Sequence, residues 1–60
     1  MKKIKQIETS KYVILLEENE NRYIVRYKRN TMEQYTYVSF MDFNYANQVF
    51  DMTLIQLEGH

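Results

Sequence analysis

Three runs of strand-forming residues follow one another along the chain, with only short polar segments between them. The runs are rich in Val, Ile, Tyr, Thr and Phe, and they are KYVILLEE (11–18), RYIVRYKR (22–29) and QYTYVSFM (34–41). The intervening segments ENEN (18–21) and RNTME (29–33) contain Asn, which tolerates turn conformations. Because strands joined by short turns pair antiparallel, the sequence predicts a β-meander.

Side-chain alternation in the first two runs predicts a sheet with one apolar face. A loop centred on residues 19–20 places three pairs on that face: Leu16 with Tyr23, Ile14 with Val25, and Tyr12 with Tyr27. On the opposite, mixed face, Glu17 would lie across from Arg22 as a cross-strand ion pair. One apolar and one mixed face are typical of a half-buried antiparallel sheet.

The pairing of the third run decides which of its side chains are buried. With residues 30–33 as a four-residue loop, Val38 pairs with Val25 and Phe40 with Tyr23, which extends the apolar face. A three-residue loop would reverse the faces, because a slip of one residue exchanges them. We prefer the first register, since it buries two apolar side chains in place of a serine.

The last segment, residues 42–60, is predicted to be a helix. Asp42 suits its N-cap and Gly59 its C-terminal stop. One stripe at helical spacing would pack on the apolar sheet face, and it contains Phe43, Ala46, Phe50, Leu54 and Leu57. The predicted fold class is therefore α+β: an antiparallel meander of three strands, or four, followed by one C-terminal helix packed on one sheet face.

The first nine residues have two interpretations, an edge strand or a basic arm. Ile4 and Ile7 have opposite parity, so a regular strand would not place both on one face. A bulge near residues 9–10 would allow a fourth strand. The lysines of this segment would otherwise form a solvated arm able to contact phosphates.

The length of 60 residues predicts a single small domain, residues 1–60, with a small core. No Cys is present, so disulfides and thiolate metal sites are excluded, and the single histidine is His60, the last residue. We therefore expect no metal site. Small domains without these devices often gain stability by oligomerisation.

Charge is divided between the two halves of the chain, although the net charge is zero. Residues 1–30 carry all eight Lys and Arg with four Glu, a net charge of +4. Residues 31–60 carry four acids and no Lys or Arg, a net charge of −4. Such asymmetry steers a protein toward a charged partner or a second copy, or it draws the two halves together within one fold.

A second apolar stripe on the predicted helix is the leading candidate for a binding surface. It consists of Tyr45, Val49, Met52 and Ile55. A surface helix should carry charge opposite its buried face, so a helix apolar on two sides favours a second contact. We predict a protein interface here, first of all a homodimer. The alternative is cover from within the chain, by a curled sheet or by Ile4 and Ile7.

The open face of the sheet is the second candidate, as a surface for single-stranded nucleic acid. Its basic and aromatic residues are Arg22, Arg26, Lys28, Tyr35 and Tyr37. Tyrosines on a sheet can stack on bases while Arg and Lys follow phosphates. The zero net charge and the lack of a recognition motif argue against it, because nucleic-acid-binding domains are usually basic.

Catalysis is not expected. Asp42 and Asp51 are nine residues apart and do not form a carboxylate pair, and no glycine-rich phosphate loop is present. We expect no cofactor, no small-molecule substrate, no membrane segment and a cytoplasmic location. The composition, rich in Lys, Asn, Ile and Tyr, is typical of AT-rich bacterial or phage genes. The sequence favours a non-catalytic interaction module, an adaptor or a small regulator or inhibitor of a larger protein.

Overall fold

The computed structural model describes residues 2–59, which form a four-stranded sheet and one helix. The elements are β1 (Lys2–Glu8), β2 (Tyr12–Asn19), β3 (Arg22–Arg29), β4 (Thr36–Phe40) and α1 (Phe43–Glu58). The strands lie in the order β1-β2-β3-β4, every neighbouring pair is antiparallel, and α1 packs on one face. The predicted α+β meander with a C-terminal helix is confirmed. Met1 and His60, which end the predicted segments, lie outside the described residues.

The register of the first hairpin differs from the predicted one by two residues. The turn is centred on residues 20–21, so Leu16 pairs with Val25 and Ile14 with Tyr27. Because two residues are one full period of a strand, the predicted faces are retained although the predicted partners are wrong. Glu20 adopts a left-handed conformation with φ of 60°, which costs a non-glycine residue about 1 kcal/mol.

The predicted register of the third strand is confirmed. Val25 pairs with Val38 and Tyr23 with Phe40, and Arg26 lies opposite Tyr37 on the open face. The regular strand is shorter than the predicted run of residues 34–41, since β4 begins only at Thr36.

The N-terminal segment is an edge strand and not an arm. Its pairing with β2 shifts between Lys3 and Lys5, which is where the β-bulge lies, and not near residues 9–10 as expected. The bulge changes the parity, so that Lys5 lies opposite Leu16 and Ile7 opposite Ile14 on the helix side. Lys5 Nζ then lies 4.4 Å from the centre of a core ring, that of Phe50, and 3.8 Å from Asp51 Oδ1.

Helix α1 has the predicted caps and most of the predicted core stripe. The Asp42 side chain accepts a hydrogen bond from the backbone N–H of Tyr45, and the Gly59 N–H donates to the carbonyl of Ile55. The fully buried core consists of Tyr12, Ile14, Leu16, Val25, Ala46, Phe50 and Leu57. Six side chains expected in the core are less buried. Phe43 and Val38 are 39% and 43% exposed, and four lie at the margin of the core: Tyr23, Tyr27, Phe40 and Leu54. The helix does not extend far enough over β4 to cover Val38.

The end of the helix is tied to the start of β2 through Tyr12. The Tyr12 hydroxyl donates a hydrogen bond to the Glu58 carboxylate. This hydrogen bond raises the pKa of Tyr12 above its ordinary value of 10.0, and desolvation and the nearby negative charge act in the same direction. The folded state therefore holds the phenol proton more tightly than the unfolded chain does.

We expect this contact to make stability fall at alkaline pH. Its contribution is complete below the unfolded pKa of about 10 and is lost as the pH rises through the folded pKa of Tyr12. The urea midpoint of the unchanged protein should therefore fall more between about pH 9 and pH 11 than that of Tyr12→Phe. An equal fall in the two proteins would show that the contact with Glu58 contributes nothing.

Candidate interaction surfaces

The outer helix surface, defined here by Tyr45, Met52 and Ile55, is apolar and faces solvent. The three side chains are 55%, 57% and 70% exposed, respectively. Their spacing of seven and three residues places them on one side of α1, turned away from the buried stripe. Opposite its core stripe a surface helix normally carries charged residues, so an apolar surface at this position is a candidate contact.

Most polar residues around the outer helix surface are uncharged. Asn44, Gln48 and Gln56 are exposed on the same side of the helix. The two acids of the helix are both paired with residues of the sheet: Asp51, at the margin of this side one turn before Ile55, lies 3.8 Å from Lys5 Nζ of β1, and Glu58 accepts from Tyr12. Contact with another protein through this side would therefore desolvate no unpaired charge.

Val49, the fourth residue predicted for the interface, has a different position. It is half-buried and packs against the core cluster, so it lies beneath the outer helix surface. The alternative, cover of this surface by Ile4 and Ile7, is not found. Ile7 packs on the core from β1, which lies at the far edge of the sheet, and Tyr45 and Met52 remain exposed.

The edge of β4 continues the outer helix surface. The rings of Phe40 and Tyr45 meet edge to face, with centroids 5.1 Å apart and planes at 86°. Val38 lies on the helix side of the sheet, because it pairs with the buried Val25, and it is only partly covered. Apolar side chains thus extend without interruption from the helix to the edge strand.

The two edges of the sheet differ in how they are protected. In the described part of the chain no strand pairs with the outer side of β4 or of β1. β1 carries three lysines and a bulge, which are the features that prevent a sheet edge from pairing with another chain. β4, with the sequence TYVSF, has no charge and no proline, and its pairing with β3 has a regular register.

The basic tyrosine face, defined by Arg22, Arg26, Lys28, Tyr35 and Tyr37, lies on the opposite side of the sheet. Two cations share one ring: Arg26 Cζ is 4.9 Å and Lys28 Nζ 5.6 Å from the centroid of Tyr35. Tyr37, opposite Arg26, is 69% exposed. Arg22 stands apart, beside the turn at the other end of β3.

Beneath these residues lies an ion pair between the buried Glu17 and the partly exposed Arg26. Arg26 Nη2 donates to Glu17 Oε2 at 3.3 Å, and Nε lies 3.1 Å from Oε1 without hydrogen-bonding alignment. The predicted partner, Arg22, was wrong because the hairpin is shifted by two residues. Glu17, Ile24, Arg26 and Tyr37 line a shallow depression here, where the charge of Arg26 is already neutralised.

Comparison with models of protein families, with curated proteins and with solved structures gives no match for this chain. Between residues 2 and 59, no helix is long and apolar enough to cross a membrane.

Proposed function

We propose that this chain is a non-catalytic interaction module that forms a homodimer through the outer helix surface. The dimer would act as an adaptor, or as a small regulator or inhibitor of a larger protein. The observation that carries the proposal is the exposure of Tyr45, Met52 and Ile55 on a side of the helix whose nearest acid, Asp51, is paired with Lys5.

Burial of these side chains would supply the driving force. Moving a side chain of this size fully out of water contributes about 1.5–3 kcal/mol, and partial burial contributes proportionately less. A two-fold interface uses each residue twice, so three exposed side chains per copy provide six. Because most of the surrounding polar side chains are uncharged amides, little of this gain is lost to desolvation of charge.

Dimer formation also fits the size of the core. A 60-residue chain buries a limited apolar area, and binding that favours the folded state adds to its stability by mass action. Tyr45 and Met52 are adaptable contact residues, since tyrosine has an apolar ring with a polar end and methionine is flexible.

The adaptor role rests on the separation of the two surfaces. The outer helix surface and the basic tyrosine face lie on opposite sides of the sheet, so contact through one leaves the other free. A dimer would therefore present two copies of the basic tyrosine face to a larger protein. We prefer this role to nucleic-acid binding, because Glu17 and Tyr35 already hold the cations of Arg26 and Lys28.

Met52→Glu tests the proposal. Met52 is 57% exposed and outside the core, so the variant should stay folded while a charge enters the interface. We expect dissociation to increase by about 100-fold or more, equivalent to about 2.7 kcal/mol, measured as solution mass by light scattering after size exclusion.

Gln6→Glu is the matched control for Met52→Glu. It adds the same charge on β1, at the far edge of the sheet, and should leave the mass unchanged. A folded Met52→Glu protein with an unchanged dimer mass would refute the assignment of the outer helix surface. Circular dichroism of both variants establishes that each is folded.

A further inference from the structure

We propose that the outer edge of β4 pairs antiparallel with β4 of a second copy, about a two-fold axis at Val38. The two sheets then become one continuous sheet. This inference rests on the proposed self-association and specifies its geometry. It follows from three observations: which residues of β4 direct their backbone N–H and C=O groups to the open edge, the lack of charge in β4, and the exposure of Val38 beside the helix.

The first argument is the direction of the backbone groups. Alternate residues of a strand direct their N–H and C=O groups to opposite sides. Asn30, which continues the even-numbered residues of β3, donates its backbone N–H to Lys11 on the β2 side at 2.9 Å. The odd-numbered residues of β3 therefore bond to β4, and they pair with Thr36, Val38 and Phe40. The backbone groups of Tyr37 and Ser39 consequently point to the open edge.

The second argument is that this pattern is complementary to itself. A two-fold axis at Val38 places Tyr37 opposite the partner's Ser39, and Ser39 opposite the partner's Tyr37. All four residues carry outward N–H and C=O groups, so the pairing makes about four hydrogen bonds. β4 contains no proline, so all five of its residues, Thr36–Phe40, can take part in the pairing.

The third argument concerns the side chains at the axis. Val38 would face the partner's Val38 as a non-hydrogen-bonded pair, the arrangement that brings opposing side chains closest together. It lies on the helix side of the sheet and is 43% exposed in the single chain, although valine is a typical buried strand residue. The second copy thus covers the apolar side chain that α1 leaves uncovered.

Charge favours β4 over β1 as the edge that pairs with a second copy. The strand TYVSF has no ionisable group with a full charge at neutral pH, so self-pairing brings no like charges together. β1 contains Lys2, Lys3 and Lys5, and its self-pairing would bring lysines of two copies together. The nearest acids to the paired segment, Glu33 and Asp42, lie beyond its ends.

The same axis joins the strand contact to the outer helix surface. An axis perpendicular to the sheet keeps both helices on one face. Tyr45 lies against Phe40, and the register places Phe40 opposite the partner's Thr36. Tyr45 would therefore lie at the boundary between the two copies, and the helix and the edge of β4 would form parts of one interface.

Amide hydrogen exchange tests the strand contact directly. In a single chain the amides of Tyr37 and Ser39 have no partner at the edge and should exchange rapidly, while Val38 is protected by β3. In the proposed dimer both should slow roughly 15-fold at a total chain concentration of about a hundred times Kd, where about 7% of the chains remain monomeric. Their protection should rise with protein concentration, whereas that of Val38 should change much less.

Ser39→Pro provides the second test. Proline removes the outward N–H, is tolerated on an edge strand, and leaves the bonds to β3 in place. We expect its mass to fall to that of the monomer, while Ser39→Ala, which keeps the N–H, stays dimeric. If Ser39→Pro does not fold, N-methylation of the Ser39 amide in a chemically synthesised chain replaces it, with the same expected loss of the dimer.

The outcomes separate this inference from the broader proposal. A dimer with protected Tyr37 and Ser39 amides, lost in Ser39→Pro, supports the continuous sheet. A dimer whose Tyr37 and Ser39 amides exchange rapidly refutes strand pairing while self-association through the helix stands. A monomer at all concentrations refutes both, and it would leave the edge of β4 for a strand of a different protein.

Discussion

Replacement of Phe50 by alanine is expected to cost the protein a third or more of its free energy of unfolding. Phe50 is 1% exposed and lies at the centre of the contact between α1 and the sheet. A buried Phe→Ala change costs about 3–5 kcal/mol through lost burial and the cavity left behind. A domain of 60 residues has a total stability of about 3–9 kcal/mol, so the loss removes about a third of it or more.

The measurement is urea denaturation followed by circular dichroism, with Phe43→Ala as the matched control. Phe43 lies on the same helix but is 39% exposed. Its ring meets that of Tyr23 edge to face, with the two centroids 5.4 Å apart. Its replacement should cost about 1 kcal/mol. Equal losses in the two variants would show that the buried stripe of α1 has been misassigned.

Arg26→Ala is expected to cost about 2 kcal/mol of stability, the second largest effect. It leaves Glu17, which is 7% exposed, without the cation that compensates its charge. Removal of one member of a fully buried pair costs about 3–5 kcal/mol, and the value here is lower because the Arg26 side chain is 37% exposed.

Two comparisons identify the cause of this loss. Arg22→Ala removes an exposed arginine from the same strand and should change the free energy of unfolding by less than about 0.5 kcal/mol. Glu17→Gln, added to Arg26→Ala, should recover about half of the loss, since a buried amide costs less than a buried charge. The explanation fails if Arg26→Ala and Arg22→Ala unfold at the same urea concentration.

Much of the fold could be predicted because the sequence constrains it locally. Four strand formers among the eight residues of β3, the Asp42 cap and the spacing of Ala46, Phe50 and Leu57 are all short-range patterns. The register of the first hairpin was missed because a shift of two residues preserves both faces, and only the turn conformation at Glu20 distinguishes the alternatives. The position of the bulge in β1 depends on contacts with β2 and has no local sequence signal.

The residues of the candidate interaction surface were predicted only in part. Helical periodicity identified Tyr45, Met52 and Ile55, but it also included Val49, whose burial depends on where the helix crosses the sheet. The contribution of Val38 was missed, because the prediction counted it as core. The predicted meander already places this strand at a sheet edge, but the exposure of Val38 depends on where the helix crosses the sheet.

Sedimentation equilibrium over a wide range of protein concentrations tests the central claim, self-association, most directly. As the protein concentration increases, we expect the average mass to rise from that of the 60-residue chain to twice that value. One monomer–dimer dissociation constant should describe the whole transition. A mass that stays at that of one chain up to millimolar concentration would contradict the account.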